Sequence, residues 1–384
     1  MLAPQPFLQE RGSPIAVDRL LGLLSEHGIE TRVITYHEGE AVDYPGVTLD
    51  RIPAPPGVHQ VPPGLSWKKI VCDLLLLGKA LRAAGRKEHS VLWAVEESVF
   101  IALVVKTLFG TPYVYDMDSS LAQQLVERFP ALRFLQGVFN YFEALALRNA
   151  LAVAPVCPAL VEVAERHGRE KVVLLHDTPL PAEAPGVDAE DLRSIPGVDG
   201  FLFLYVGNLA PYQGIDLLLE SFALASERMK DAHLVIIGGA PRDVAVRRRE
   251  VERTGLSGRV HFAGPKPLRR LPAYPRQADV LVSPRLQGVN TPMKIYSYLD
   301  SGVPVLATNL RTHTQVVEPD AAMFADPDPA SYAAAMVRLY EDEELRRSIG
   351  QAGRRLVAER YSFEVYRRRV AELLDLVRAR AGAS

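Results

Sequence analysis

Ser283-Pro284-Arg285-Leu286-Gln287-Gly288-Val289-Asn290-Thr291-Pro292-Met293-Lys294-Ile295-Tyr296-Ser297-Tyr298-Leu299-Asp300-Ser301-Gly302 is the stretch on which the fold turns. The apolar run 278–282 before it reads as a strand. Gly288 and Asn290 permit a tight turn, Thr291 reads as a helix N-cap and Pro292 as the first helical residue. Ile295, Tyr298 and Leu299 share one helical face, Gly302 stops the helix, and 303–308 reads as the next strand. A helix N-terminus thus falls at the carboxyl end of a strand. Free N–H groups and the positive dipole end there suit an anion such as a diphosphate. Lys294 lies in the first turn and adds a charge. Alone, the stretch is equally an ordinary βα unit with a good cap, so the rest of the chain has to decide.

Working outward, 384 residues suggest two domains, or three. A hydrophobic share of 48% is ample for packed cores, and a charged share of 23% is ordinary. The net charge of −2 argues against a nucleic-acid partner. Cys72 and Cys157 make neither a disulfide framework nor a zinc set, and free thiols fit a reducing cytoplasm. No signal peptide is legible, and the longest clean apolar run, 99–105, is far too short to span a membrane. The Walker A pattern, HExxH, a nucleophile elbow and GxGxxG are absent.

Before the opening stretch the chain alternates between strand and helix. Residues 1–4 read as the tail of a strand whose beginning lies upstream. A helix from 13 to 27, a strand at 31–36, a proline-rich loop at 53–63 and a helix from 66 to 84 follow. Strands at 91–95 and 112–115 flank a helix at 98–109; helices at 121–128 and 133–149 precede short strands at 152–156 and 171–175. Between 180 and 200, Pro181, Pro185, Gly186, Pro196 and Gly197 mark a linker. The alternation then restarts: strands at 201–206, 233–238 and 260–262 with helices at 216–228 and 244–253, and three closing helices at 330–340, 344–360 and 363–380. The fold class is α/β: two Rossmann-like, doubly wound parallel sheets joined by a hinge and facing across a cleft.

These residues resemble retaining GT-B glycosyltransferases of the GT4 type (glycosyl transferase group 1). The resemblance rests on Tyr205-Val206-Gly207-Asn208-Leu209-Ala210-Pro211-Tyr212-Gln213-Gly214-Ile215-Asp216, His261-Phe262-Ala263-Gly264, Ala278-Asp279-Val280 and 288–302 in the second half. In the first half, Arg11-Gly12-Ser13-Pro14 matches the glycine-bearing loop after the first strand. The order of the set is fairly specific; no single piece is. The resemblance implies an acceptor domain at 1–180, joined by the helix 363–380, and a nucleotide-sugar domain at 181–362. It implies transfer of a sugar from a nucleotide-sugar to a glycan or lipid-linked glycan with retention of configuration. It implies no cofactor and no metal, and preorganised hydrogen-bond donors that stabilise the leaving diphosphate.

The chain also departs from the family pattern. Where an Arg and a Lys usually meet the diphosphate, it has Asn208 and Gln213, and where the second of two glutamates stands, it has Ser297; the first falls on Val289 or Gln287. Lys294 becomes the foremost phosphate contact, with a solvated surface lysine as the other reading. The donor set implied is Gly12, Asn208, Gln213, Gly264, Lys266, Arg285, Gln287, Asn290, Thr291, Pro292, Met293 and Ser297, with the backbone of Gly264-Pro265-Lys266 at the base. Asp118 falls near the place of a sugar-contacting histidine, and is otherwise a turn residue before a Ser-capped helix. Ser13, Glu97 and His313 are further acceptor or donor contacts, although Glu97 equally serves the next helix N-terminus. A catalytically inactive relative that binds a partner enzyme or glycan is the alternative; an epimerase or phosphorylase fits the fold but not the motifs.

One further expectation concerns location. In the helix beginning near Trp67, Ile70, Leu74, Leu77 and Leu81 share a face assigned to the core, while Lys68, Lys79 and Arg82 line the opposite side. A basic stripe beside Leu75, with Trp67 at one end, suits peripheral contact with anionic lipid on the inner face of the membrane; a solvated charged face is the other reading.

Overall fold

The computed structural model describes residues 1–6, 12–61, 66–87, 89–181 and 190–382. The chain forms two units, Met1–His176 with Tyr366–Ser384, and Asp177–Val365.

The first unit contains β1 (Leu2–Ala3), α1 (Gly12–Glu26), β2 (Thr31–Thr35), β3 (Val47–Arg51), α2 (Trp67–Gly85), β4 (Leu92–Val95) and α3 (Ser98–Phe109). It continues with β5 (Tyr113–Met117), α4 (Leu121–Arg128), α5 (Gln136–Asn149), β6 (Ala152–Pro155) and α6 (Pro158–Glu165). All strands are parallel, in the order β3-β2-β1-β4-β5-β6. β1 and β4 inside the sheet, and β6 at its edge, are apolar and buried along their length, as strands covered on both faces must be. The order reverses between β1 and β4, the kind of switch point beside which parallel sheets bind ligands.

The second unit contains β7 (Phe201–Val206), α7 (Ile215–Ala225), β8 (Ala232–Ile237), α8 (Pro241–Arg253), β9 (Val260–Gly264), β10 (Val280–Ser283), α9 (Lys294–Ser301) and β11 (Val305–Thr308). It ends with α10 (Arg311–Thr314), β12 (Met323–Ala325), α11 (Pro329–Glu341), α12 (Glu343–Leu356) and a π-helical turn, Val357–Tyr361. Its parallel sheet runs β12-β11-β10-β7-β8-β9, reversing between β7 and β10. Strand alternation divides the core. Phe203 and Tyr205 face one layer with Phe222 and Tyr332, while Leu202 and Leu204 face another with Ile295 and Tyr298. The final helix, α13 (Phe363–Ala381), buries Val370, Leu373 and Leu374 against Leu20, Leu24 and Val33 of the first unit.

Several sequence expectations need correction. The edge strands β3 and β12 carry no strong signal: β3 is half-exposed and polar at Thr48 and Asp50, and β12 has three residues. The expected strand at 171–175 is a single bridge between Val153 and Val172. The stretch 133–149 divides into a 3-10 turn, Pro130–Leu135, and α5. In α2 the buried residues are Cys72, Leu76, Ala80, Ala83 and Ala84, while Ile70 and Leu74 point outward. The small side chains of that inner stripe let α2 sit close to the sheet, and hydrophobicity by itself favoured the larger leucines. Arg11 of the glycine-bearing loop, Pro62 and Pro63 of the proline-rich loop, and Pro185 and Gly186 of the linker lie outside the described residues.

Candidate active site

In the second unit the loops after β7 and β10 meet at the reversal of strand order. Close backbone approach builds the meeting point. A Cβ on Gly214 would lie 1.9 Å from the Pro284 carbonyl oxygen, and one on Gly238 would lie 2.2 Å from that of Gly207. Both positions also have left-handed backbone, so only glycine fits. Leu286 N–H donates to the Tyr212 carbonyl at 2.9 Å, tying the two loops together. Tyr298 of α9 accepts the Val206 N–H at 2.7 Å, fastening the helix to the end of β7.

Lys294 is the first residue of α9, one position after the Met293 cap, and no side chain caps this helix. Thr291 is therefore not the N-cap. Its hydroxyl receives Gln315 Nε2 at 3.1 Å, and Gln315 also donates to the Val289 carbonyl at 2.8 Å. Pro292 and Met293 turn the chain, their carbonyls accepting Ile295 N–H at 3.0 Å and Tyr296 N–H at 3.3 Å. The Lys294 ammonium lies 3.9 Å from the Tyr205 ring centre and donates to Gln213 Oε1 at 3.3 Å. Burial, and secondarily the Arg285 charge, hold its pKa well below the ordinary lysine value.

Arg285 is buried. Its Nε donates to the Gln287 carbonyl at 2.7 Å, its Nη2 to Asn290 Oδ1 at 2.8 Å, and the guanidinium lies 5.4 Å from the Tyr212 ring centre. Asn208 bonds Tyr212 through Nδ2 at 3.2 Å and receives Ala210 N–H at 3.1 Å. The structure thus brings Asn208, Gln213, Arg285, Gln287, Asn290 and Lys294 into one network that holds two cations.

Other expected residues stand differently. Ser297 Oγ accepts the Leu180 N–H at 2.9 Å. Lys266 pairs with Glu190 at 2.5 Å, and Gly264 ends β9 with φ +68°. His313 is fully buried: Nε2 meets Ser283 Oγ at 2.9 Å and Nδ1 meets the Thr308 carbonyl at 3.0 Å. Both ring nitrogens are engaged, so it joins the ends of β10 and β11 rather than reaching outward. Burial pushes its pKa down to about 3, with Arg285 and Lys294 acting in the same direction. Sequence reasoning missed Tyr205, Tyr212, Tyr298 and Gln315; the tyrosines flanking Gly207 were the available signal.

In the first unit, Glu96 and Glu97 follow β4 and Asp118 follows β5. Glu96 has φ +49°, a conformation costly for a side-chain-bearing residue and one that gathers at functional sites. Glu97 makes no side-chain cap to α3; it forms an ion pair with Lys69, whose ammonium also donates to the Pro4 carbonyl at 2.8 Å and Tyr36 Oη at 3.1 Å. Asp118 is half-buried beside the buried Ser119, and Ser120 caps α4. Gly12 and Ser13 open α1.

Two family models match. The glycosyl transferase 4-like domain covers residues 11–178 and glycosyl transferases group 1 covers residues 200–342. The phosphatidyl-myo-inositol mannosyltransferase of Mycobacterium leprae is 25% identical over 200 residues, 50% of this chain and 52% of that protein. The chain spans between about a third and about half of the length of the first curated relatives it matches. Sucrose-phosphate synthase from Thermosynechococcus elongatus superposes with TM-score 0.79 at 21% identity, over 96% of this chain and 94% of that one. Anabaena HepE in complex with UDP-glucose gives TM-score 0.73 at 16% identity, over 97% and 98%. With both halves matched in order and both sheets wound alike, the chain belongs to the group 1, GT4-type glycosyltransferases of GT-B fold.

Proposed function

We propose that the protein transfers a sugar from a nucleotide-sugar to a lipid-linked acceptor, with retention of configuration. The observation that carries this reading is the convergence of Lys294 and Arg285 on loops at the reversal of the second sheet. A diphosphate there meets two cations and the start of α9, so its charge is balanced by side chains and its departure needs no metal. The acceptor oxygen bonds to the anomeric carbon on the face the phosphate leaves. The carbon–phosphate-oxygen bond breaks, and the acceptor proton passes to the departing phosphate. Glu97 and Asp118, at the strand ends of the first unit, are the groups read as orienting the acceptor.

A lipid-linked acceptor is favoured by the outer face of the first unit. Adjacent helices α2, α3 and α5 expose Trp67, Leu74, Leu108, Tyr141 and Phe142, and Phe134 in the preceding turn is 80% exposed. The only carboxylates on these helices turn inward, Asp73 to Tyr36 and Glu143 to Ser120. Cations Lys68, Arg82, Lys106 and Arg148 remain along them. An apolar face with basic side chains along its helices suits an anionic bilayer, on which the protein lies peripherally. Among the described residues no helix is long and apolar enough to cross a membrane. Among relatives, the Mycobacterium leprae protein is named for transfer to phosphatidyl-myo-inositol.

The test is a thermal-shift panel of nucleotide-sugars followed by transfer assays on extracted lipid acceptors, with the product anomer read by NMR. Stabilisation by one nucleotide class and a product of unchanged anomeric configuration are expected. Stabilisation without transfer to any acceptor points to a binding subunit; no stabilisation overturns the donor site.

A further inference from the structure

The first unit carries a second cluster that the sugar-transfer reading does not use. His37 and Glu38 follow β2, and His59 lies in the loop leading toward α2. One ligand atom from each of the three lies within 4.8 Å of the other two, and His37 Nε2 is 3.8 Å from Glu38 Oε1.

The His37 ring is the informative member. Its side chain is 8% exposed, Nε2 lies 3.0 Å from the Val58 carbonyl, and Nδ1 is buried with no hydrogen-bond partner among the described residues. A buried nitrogen without a partner is destabilising, because its lost hydration is not replaced. A cation held by one nitrogen while the other donates to the Val58 carbonyl occupies both, and this is the arrangement of metal-bound imidazoles generally.

The surroundings already hold the other two groups. Glu38 accepts Gln60 N–H through Oε1 at 2.5 Å and Val61 N–H through Oε2 at 3.1 Å. These bonds fix its carboxylate against the loop that carries His59. Gln60, next to His59, has φ +52°, and the flanking Val58 and Val61 are buried while His59 is exposed. The loop is therefore anchored on both sides of a ligand that opens to solvent, which supplies an entry path. Two imidazoles and one carboxylate suit zinc and its neighbours rather than magnesium or calcium, which take oxygen donors. Tetrahedral ligands about 2 Å from zinc lie about 3.3 Å apart. The three ligand atoms lie within 4.8 Å of one another, so the site closes on binding, mainly through the exposed His59 ring.

We propose that His37, Glu38 and His59 bind a zinc-type divalent cation that clasps the end of β2 to the loop before α2. The cation stabilises the first unit and takes no part in the donor chemistry.

The experiment titrates zinc sulfate into the full-length chelator-treated protein by calorimetry, with magnesium chloride as comparison. Cobalt absorption reports the coordination geometry. One zinc per chain, no magnesium uptake and tetrahedral-type cobalt bands are expected. His59→Ala, at an exposed position, and Glu38→Gln, which keeps an acceptor for one of the two loop amides, should each weaken zinc at least tenfold. Zinc should raise the melting temperature of the wild type and not of His59→Ala. Nucleotide-sugar affinity should be the same with and without zinc, which separates this site from the donor reading. Absent binding, or binding unchanged in both variants, overturns the proposal.

Discussion

The Lys294 ammonium lies 3.9 Å from the centre of the Tyr205 ring, on a helix that begins after β10 and above a side chain that ends β7. A cation over an aromatic face is stabilised but still desolvated, so this lysine stands ready for a stronger anionic partner.

Lys294→Ala should therefore weaken nucleotide-sugar binding by about 1.5–3 kcal/mol, the range for a hydrogen bond to a charged group. Calorimetric affinity of a variant with native stability is the measurement. Unchanged affinity removes Lys294 from the donor site.

The depressed pKa of Lys294 adds a pH effect with a definite sign. A bound diphosphate raises that pKa, so between the free and bound values binding takes up a proton and affinity falls as pH rises. A sugar-linked diphosphate does not itself titrate near neutrality, so the slope reports the protein. Affinity at pH 6.5, 7.5 and 8.5 should decline in the wild type, and the decline should flatten in Lys294→Arg, whose charge is permanent. Equal slopes in the two proteins would place the proton elsewhere.

His313 gives a stability prediction. Its folded-state pKa of about 3 lies below the ordinary 6.5, so its contribution is full above pH 6.5 and drains as pH falls toward 3. The slope is about 1.4 kcal/mol per pH unit. His176, pushed down to about 4, adds a parallel loss. Urea unfolding at pH 7 and pH 5 should show His313→Gln less stable at pH 7 but losing less on acidification. A wild-type acid loss fully retained by the variant counts against this assignment.

Asp118→Asn should lower turnover while leaving nucleotide affinity near wild type, because Asp118 belongs to the first unit and the cations to the second. Steady-state rates paired with calorimetry separate the two; full activity leaves Asp118 as a turn residue.

Vesicle co-sedimentation addresses the outer helices. Binding should require anionic lipid and fall when Leu74, Leu108 and Phe134 are all changed to Ser, with a further fall at high salt. Equal binding to neutral vesicles, or none to either, ends the bilayer reading.

Much of this architecture was legible because buried parallel strands write long apolar runs, and β4, β7, β8 and β10 are of that kind. The edges were not. Thr48 and Asp50 share one face of β3 and look like loop, although Asp50 is held by Arg32 and Lys79. At the site, the sequence marks Lys294 and Arg285 because charge at a turn is conspicuous. It conceals the role of His313, whose neighbours Ser283 and Thr308 arrive from two other segments. Thr291 has the right chemistry for a cap, but Gln315 claims its hydroxyl, and that competition across 24 residues leaves no local trace.

The 3.3 Å contact between Lys294 and Gln213 implies that one positive charge can be housed on either of two distant segments. A chain with lysine at both positions would set two ammoniums side by side, costing about 1 kcal/mol in water-like surroundings and more in drier ones. Bound diphosphate would turn that repulsion into attraction. A route between the two arrangements that passes through the doubly charged chain therefore carries its least penalty when the donor site is occupied.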